Sequence, residues 1–131
     1  MNIEEMMITA ANAAKNAYAP YSNFHVGAAL LTKDNKLFIG CNVENNGIQS
    51  ICAERCAFIK AISEGYTKND FKCIFVAAYK ENPSELKDAT PCGYCREFMS
   101  EFVDKDFEIY CYNNQKLEKY YLSNLLPHSF R

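Results

Sequence analysis

Two short cysteine-bearing segments, forty positions apart, set the strongest constraint on how this 131-residue chain can fold. They are Cys52-Ala53-Glu54-Arg55 and Pro91-Cys92-Gly93-Tyr94-Cys95. Three thiols from two segments can bind one metal ion and leave a fourth position open for water, provided that the fold brings the segments together. We therefore predict one zinc ion (Zn2+) per chain, bound by Cys52, Cys92 and Cys95.

The residues beside these cysteines give the predicted site its chemistry. A hydrolytic zinc site needs an acid/base that is not itself a ligand, and Glu54 is the carboxylate available for that role. Three thiolates on one divalent cation leave a net charge of about -1. Arg55 can offset this charge, because a guanidinium can donate hydrogen bonds to sulfur. The alternative interpretation of Arg55 is a solvated or salt-bridged side chain.

A closed, purely structural zinc site with four cysteines is the alternative to an open catalytic site. Cys56 is the local candidate for the fourth ligand, since it follows Cys52 by four residues. On a helix, however, Cys56 begins about 6 Å further along the axis, away from the C-x-x-C pair. We therefore favour the open site. A closed site would leave Glu54 without a water molecule to activate.

Composition restricts the class of protein and its partners. The chain is 49% hydrophobic and 23% charged, as expected for a single globular domain spanning residues 1–131. Its 14 Lys and Arg against 16 Asp and Glu give a formal charge of -2, so we expect no nucleic-acid partner. No apolar run approaches the ~18 residues of a membrane span, and the start lacks a signal-peptide pattern. We expect a cytoplasmic protein with no membrane partner.

Periodicity and turn residues predict alternating helices and strands. Proline at position 20 is expected to end the first helix. The small residues at 27–29, within the first predicted strand, predict a helix packed closely on that strand. This order of elements predicts an α/β fold, namely a three-layer α/β/α sandwich with a mixed five-stranded sheet. We predict helices at 3–18, 53–64 and 93–103, strands at 26–31, 37–41, 70–79 and 107–111, and a last short strand and helical turn in 120–127.

With these residues in view, the chain resembles the homotetrameric, three-cysteine class of zinc cytidine deaminases. The resemblance covers almost the whole chain. Residues 21–29 are similar to that family's first-strand motif, 40–45 to its ribose-binding motif and 125–130 to its C-terminal signature. The related P-C-x-x-C signature belongs to zinc deaminases in general. The resemblance implies hydrolytic deamination of cytidine and deoxycytidine to uridine and deoxyuridine in pyrimidine salvage.

The resemblance also implies roles for individual side chains. Glu54 would take a proton from the attacking water and deliver protons to N3 and to the leaving amine. Ala53 would keep the helix start small beside the base. The resemblance further implies that Phe24 packs against the nucleoside and that the ribose 3'-hydroxyl is hydrogen-bonded by Asn42 and by Glu44, whose carboxylate accepts. It also implies that Phe130 stacks near the base of a neighbouring subunit's active site.

One loop departs from the family pattern. Residues 45–51 form a connection one residue shorter than usual, and the family's tyrosine is absent from it. The altered loop leaves one alternative function open, namely deamination of another cytosine-containing small molecule of the nucleoside antibiotic type. A non-catalytic interaction module with structural zinc is the other alternative. Deamination of polynucleotides is disfavoured, because the sequence carries no basic groove signal.

Overall fold

Helices and strands alternate along the chain in a computed structural model, which describes residues 1–47 and 49–130. The elements, in chain order, are α1 (Ile3–Ala14), β1 (His25–Thr32), β2 (Leu37–Cys41), α2 (Ala53–Ser63), β3 (Phe71–Tyr79), α3 (Gly93–Ser100), β4 (Glu108–Asn113), β5 (Lys116–Tyr121) and α4 (Leu122–Leu125).

The strands form one mixed sheet in the order β2-β1-β3-β4-β5. β1 is antiparallel to β2 and β3, β3 is parallel to β4, and β4 is antiparallel to β5. The predicted mixed five-stranded sheet is therefore confirmed. β3 is buried along nearly its whole length, as its uninterrupted apolar run predicts for a central strand covered on both faces.

Two glycines on neighbouring strands show why helices pack closely on both faces of the sheet. A Cβ placed on Gly27 would lie 1.9 Å from the carbonyl oxygen of Ala10 in α1. A Cβ placed on Gly40 would lie 2.6 Å from the carbonyl oxygen of Ala53 in α2. Gly40 pairs with Ala28, the residue after Gly27, so the two glycines face opposite sides. The predicted α/β/α layering is confirmed, with α1 on one face and α2 on the other.

The first helix is shorter than predicted. α1 ends at Ala14 rather than at residue 18. The N–H of Tyr18 instead donates to the carbonyl oxygen of Asn42 at 3.0 Å, and Tyr18 forms a β-bridge with Val43. This pairing across the chain ends the helix before the proline does.

Two boundaries in the second half of the chain lie three or more residues from the predicted positions. α3 ends at Ser100 rather than at residue 103. β5 begins at Lys116, earlier than the predicted last strand. Asn114 and Gln115 both have positive φ, 52° and 64°, and form a two-residue turn that leads directly from β4 into β5. In the part of the chain that the structure describes, no helix has the length and apolar character to cross a membrane.

Candidate active site

The three predicted zinc ligands meet where two helices begin. Cys52 is the N-cap residue of α2, and Cys92 is the N-cap residue of α3, with Cys95 in the first turn of α3. The Sγ atoms of Cys52 and Cys92 are 3.7 Å apart, and those of Cys92 and Cys95 are 3.5 Å apart. All three sulfurs lie within 4.8 Å of one another. The fold therefore joins the two segments as their sequence predicts.

The donor set fits zinc. Three thiols at this separation can act together as soft ligands and leave a fourth position open. Cys56 does not belong to this group of potential ligands in residues 1–47 and 49–130. The pKa of Cys52 is lowered to about 5, first by a hydrogen bond from the Cys95 thiol and also by Arg55. The same sharing of a proton raises the pKa of Cys95. One thiolate is thus already favoured in the protein.

Glu54 lies in the first turn of α2 and is only 4% exposed. Burial raises the pKa of its carboxyl to about 7, and the negative charge of Cys52 acts in the same direction. A carboxyl group with a pKa near neutrality can both accept and release a proton at moderate cost, which is what general acid–base catalysis requires. Its position beside the thiols therefore suits the predicted acid/base.

Arg55 is half-buried and points back towards the start of its helix. Its Nη2 donates to the Sγ of Cys52 at 3.8 Å and to the carbonyl oxygen of Ser50 at 3.3 Å. Its Cζ lies 4.1 Å from the centroid of the Tyr94 ring. Arg55 is therefore packed against the cysteine cluster rather than freely solvated, which is the placement that the charge-compensating role needs.

A cavity of about 450 Å³ opens beside the cysteines. Four of the five predicted substrate-binding residues line it: Phe24, Asn42, Glu44 and Ala53. Glu54 lines the same cavity. The fifth, Phe130, is 87% exposed near the end of the chain and does not line the cavity of its own chain.

Asn42 also has a role in building the cavity that the sequence did not reveal. Its Oδ1 accepts a hydrogen bond from the N–H of Val26, and its Nδ2 donates to the carbonyl oxygen of Phe24, both at 2.9 Å. Asn42 therefore fixes the entry into β1, where Phe24 lies. An amide keeps a second N–H and a second lone pair after such contacts, so it can still bind a sugar hydroxyl.

Glu44 holds the same wall from the other side. Its carboxylate accepts hydrogen bonds from the N–H groups of Tyr21 and Ser22 at 3.0 and 3.2 Å, and from the Ser22 hydroxyl. These bonds lower the pKa of the Glu44 carboxyl, first through the Ser22 hydroxyl. A carboxylate has about four lone-pair sites, so further hydrogen bonding to a ligand is possible.

Sequence reasoning missed three polar residues of the cavity wall, Ser50, Asp88 and Thr90. Asp88 accepts a hydrogen bond from the N–H of Gln115 at 2.8 Å, and the N–H of Ala89 donates to the carbonyl oxygen of Tyr112 at 3.0 Å. These contacts hold the segment before Pro91 against the β4–β5 hairpin. The only local signal was a polar loop, and such loops rarely show which side chain faces a cavity.

The fold and the thiol cluster together define a zinc-binding hydrolytic enzyme of the deaminase type. A family model described as the cytidine and deoxycytidylate deaminase zinc-binding region matches residues 1–111. The chain belongs to this family.

Individual relatives agree in sequence and in structure. The chain is 39% identical over 132 residues to the cytidine deaminase of Sporosarcina psychrophila, covering 99% of this chain and 92% of the relative. It is 49% identical over 112 residues to the probable cytidine deaminase of Dictyostelium discoideum, covering 83% and 69% respectively. The crystal structure of cytidine deaminase from Burkholderia pseudomallei superposes with a TM-score of 0.88 at 39% identity, covering 99% of this chain and 100% of that one.

Proposed function

We propose that this protein is a cytidine deaminase that hydrolyses cytidine and deoxycytidine to uridine and deoxyuridine, with release of ammonia, in pyrimidine salvage. Water adds at C4 of the base, and the bond from C4 to the amino nitrogen breaks. The observation that carries the proposal is the buried Glu54 carboxyl, which lines the same cavity as Cys52 and Cys92. In this proposal, residues 1–131 form a single catalytic domain.

In this proposal, the three cysteines bind the metal and Glu54 transfers the protons. Zinc, when bound by Cys52, Cys92 and Cys95, supplies a Lewis acid that makes a water molecule more acidic. Glu54 accepts a proton from the attacking water and passes protons to N3 and then to the departing amino nitrogen. Because Glu54 is shielded from solvent, its proton stays within the cavity during these transfers.

Arg55 has a supporting role in this scheme. Three thiolates would donate strongly to the metal and oppose the acidification of water. The Nη2 of Arg55 lies 3.8 Å from the Sγ of Cys52 and can weaken that donation. We assign Arg55 to charge compensation on this contact.

Substrate binding is assigned to residues that line the cavity. Phe24 offers an aromatic face to the nucleoside, and Ala53 leaves space for the base at the start of α2. Asn42 and Glu44 lie on the same cavity and are assigned to the ribose 3'-hydroxyl. Asn42 is anchored by its hydrogen bond to Phe24 and Glu44 by its hydrogen bond from Tyr21, so both present their remaining hydrogen-bonding capacity from fixed positions.

The charges of the cavity favour a nucleoside over a nucleotide. Glu44, Glu54 and Asp88 bring carboxyl groups to the lining. Among the described residues that form this lining there is no Lys, Arg or His. A phosphate group would therefore find no cationic side chain in this lining to pair with and would meet carboxyl groups instead.

Assembly and cellular location belong to the proposal as well. We assign a cytoplasmic homotetramer with composite active sites, in which Phe130 stacks near the base bound by a neighbouring subunit. The large exposure of Phe130 in the single chain is compatible with such a contact. Light scattering on the purified protein would test the tetramer, and a Phe130→Ala variant would test the contribution to the neighbouring site.

An ammonia-release assay on the zinc-loaded protein tests the activity. The substrate panel is cytidine, deoxycytidine, their 5'-monophosphates and a cytosine nucleoside antibiotic. We expect turnover of the two nucleosides and much lower kcat/KM for both monophosphates. Preferred turnover of the antibiotic would support the alternative substrate, which the altered loop at Ser50 and Ile51 on the cavity wall would explain. Zinc-loaded protein that releases no ammonia from any of the five would contradict the proposal.

A further inference from the structure

We propose that Tyr94 is a positioning residue of the zinc site, because its ring holds the Arg55 guanidinium beside the sulfur of Cys52. The inference rests on the proposed charge-compensating role of Arg55 and extends it to a second residue. Tyr94 lies between the two ligands of the C-x-x-C pair, and its side chain is 66% exposed. Burial in the core therefore does not explain an aromatic residue at this position.

The contact between Tyr94 and Arg55 joins the two halves of the cluster. Arg55 lies in the first turn of α2, which begins at Cys52, and Tyr94 lies in the first turn of α3, which begins at Cys92. The Cζ of Arg55 is 4.1 Å from the centroid of the Tyr94 ring. This distance is well inside the range in which the negative face of an aromatic ring attracts a cation.

The hydrogen bonds of Arg55 leave part of its guanidinium without a hydrogen-bond partner among the described residues. Two hydrogen bonds start from Nη2, at 3.3 Å to the carbonyl oxygen of Ser50 and at 3.8 Å to the Sγ of Cys52, and the Cys95 sulfur also interacts with the guanidinium. The Nε atom is buried and has no hydrogen-bond partner in residues 1–47 and 49–130. A guanidinium has five N–H donors, so these contacts leave its orientation only partly determined. The ring face of Tyr94, 4.1 Å from the Cζ of Arg55, is therefore a further contact that limits how far the guanidinium can turn away from Cys52.

Loss of the ring should weaken zinc binding. A guanidinium free to rotate into solvent would spend less time beside Cys52, and the negative cluster would lose part of its compensation. Cation–π contacts at exposed sites have a strength that corresponds to a roughly 2- to 5-fold change in affinity. We expect Tyr94→Leu to lower zinc affinity within this range, whereas Tyr94→Phe, which keeps the aromatic face, should stay within about 2-fold of the original protein.

A double-mutant cycle separates positioning from a general structural effect. Zinc affinity is measured by chelator competition on the original protein, Tyr94→Leu, Arg55→Gln and the double variant, and the cobalt-substituted proteins report the sulfur-to-metal absorption bands. We expect Tyr94→Leu to shift these bands and to have no further effect on affinity in the Arg55→Gln background. Tyr94→Gln serves as a second non-aromatic variant, and the thermal midpoint of each metal-free protein checks that it folds.

Two results would overturn the proposal. One is a Tyr94→Leu protein with unchanged zinc affinity and unchanged cobalt bands. The other is a loss of affinity that is equally large with and without Arg55, which would assign Tyr94 a role independent of the guanidinium. Neither measurement uses a nucleoside, so failure of the proposed deaminase activity and failure of this inference are distinguishable.

Discussion

Gly40 of β2 lies so close to Ala53 of α2 that a Cβ at position 40 would be 2.6 Å from the Ala53 carbonyl oxygen. The same atom would also lie 2.7 Å from the backbone nitrogen of Ala57. Both neighbours are backbone atoms of a helix, so they cannot move aside as a flexible side chain would. The close approach of strand and helix therefore fixes the start of α2, where Cys52 and Glu54 lie.

Replacing Gly40 by Ala should therefore destabilise the protein. Adding atoms to a tightly packed contact costs roughly 1–3 kcal/mol, because the surrounding backbone has to shift. Gly93→Ala is the matched control, since a Cβ there would have nothing within 4 Å. Urea denaturation would measure the free energy of unfolding of both variants. A Gly40→Ala protein as stable as the control would mean that α2 can move away from the sheet without penalty.

Zinc binding should depend on Cys92 and not on Cys56. Cys92 belongs to the group of three sulfurs within 4.8 Å, whereas Cys56 lies outside it. Because zinc bound to the native state stabilises that state, added zinc should raise the thermal midpoint of Cys56→Ser but not of Cys92→Ser. Metal analysis should give one zinc per chain for Cys56→Ser. If that variant lost its metal, the closed four-cysteine site would become the better interpretation.

Removal of the Glu54 carboxylate should strongly reduce turnover while zinc stays bound. An amide cannot relay protons, and positioned acid–base groups contribute about 100- to 10,000-fold to rate. Glu54→Gln should therefore lose activity within this range and keep its zinc. Glu64→Gln is the control, because Glu64 lies at the other end of α2 in an exposed ion pair with Lys36. Steady-state ammonia release and metal analysis give the two readouts; substantial turnover by Glu54→Gln would remove the acid/base assignment.

The sequence was sufficient to predict which cysteines form the cluster and how the layers of the fold are arranged. Cysteine spacing predicted which thiols would meet, since two helix starts that share one ion leave few other arrangements. Small residues in β1 predicted the close helix packing seen at Gly27. These features depend on local pattern and residue size, which a single sequence displays directly.

Local sequence pattern could not predict the features that depend on contacts between distant segments. The end of α1 depends on a hydrogen bond between Tyr18 and Asn42, and helical periodicity carries no information about such a partner. The contact between Arg55 and Tyr94 arises only after α2 and α3 are placed side by side. The same is true of Asp88, whose place on the cavity wall follows from its hydrogen bond to the β4–β5 turn.

Protonation of Glu44 should weaken the fold at acidic pH. The Ser22 hydroxyl and the N–H groups of Ser22 and Tyr21 favour the ionised form, so the pKa of Glu44 in the folded protein lies below its ordinary value of 4.5. The stabilisation is therefore present above about pH 4.5 and is lost as pH falls through the lower folded pKa.

Glu44→Gln lacks this titration, and Ser22→Ala should reduce it by removing the main cause of the pKa shift of Glu44. Urea denaturation from about pH 7 to pH 3 should show the original protein losing more stability than Glu44→Gln. If the free energy of unfolding changed equally with pH in these two proteins, the hydrogen bonds to Glu44 would not favour its ionised form in solution.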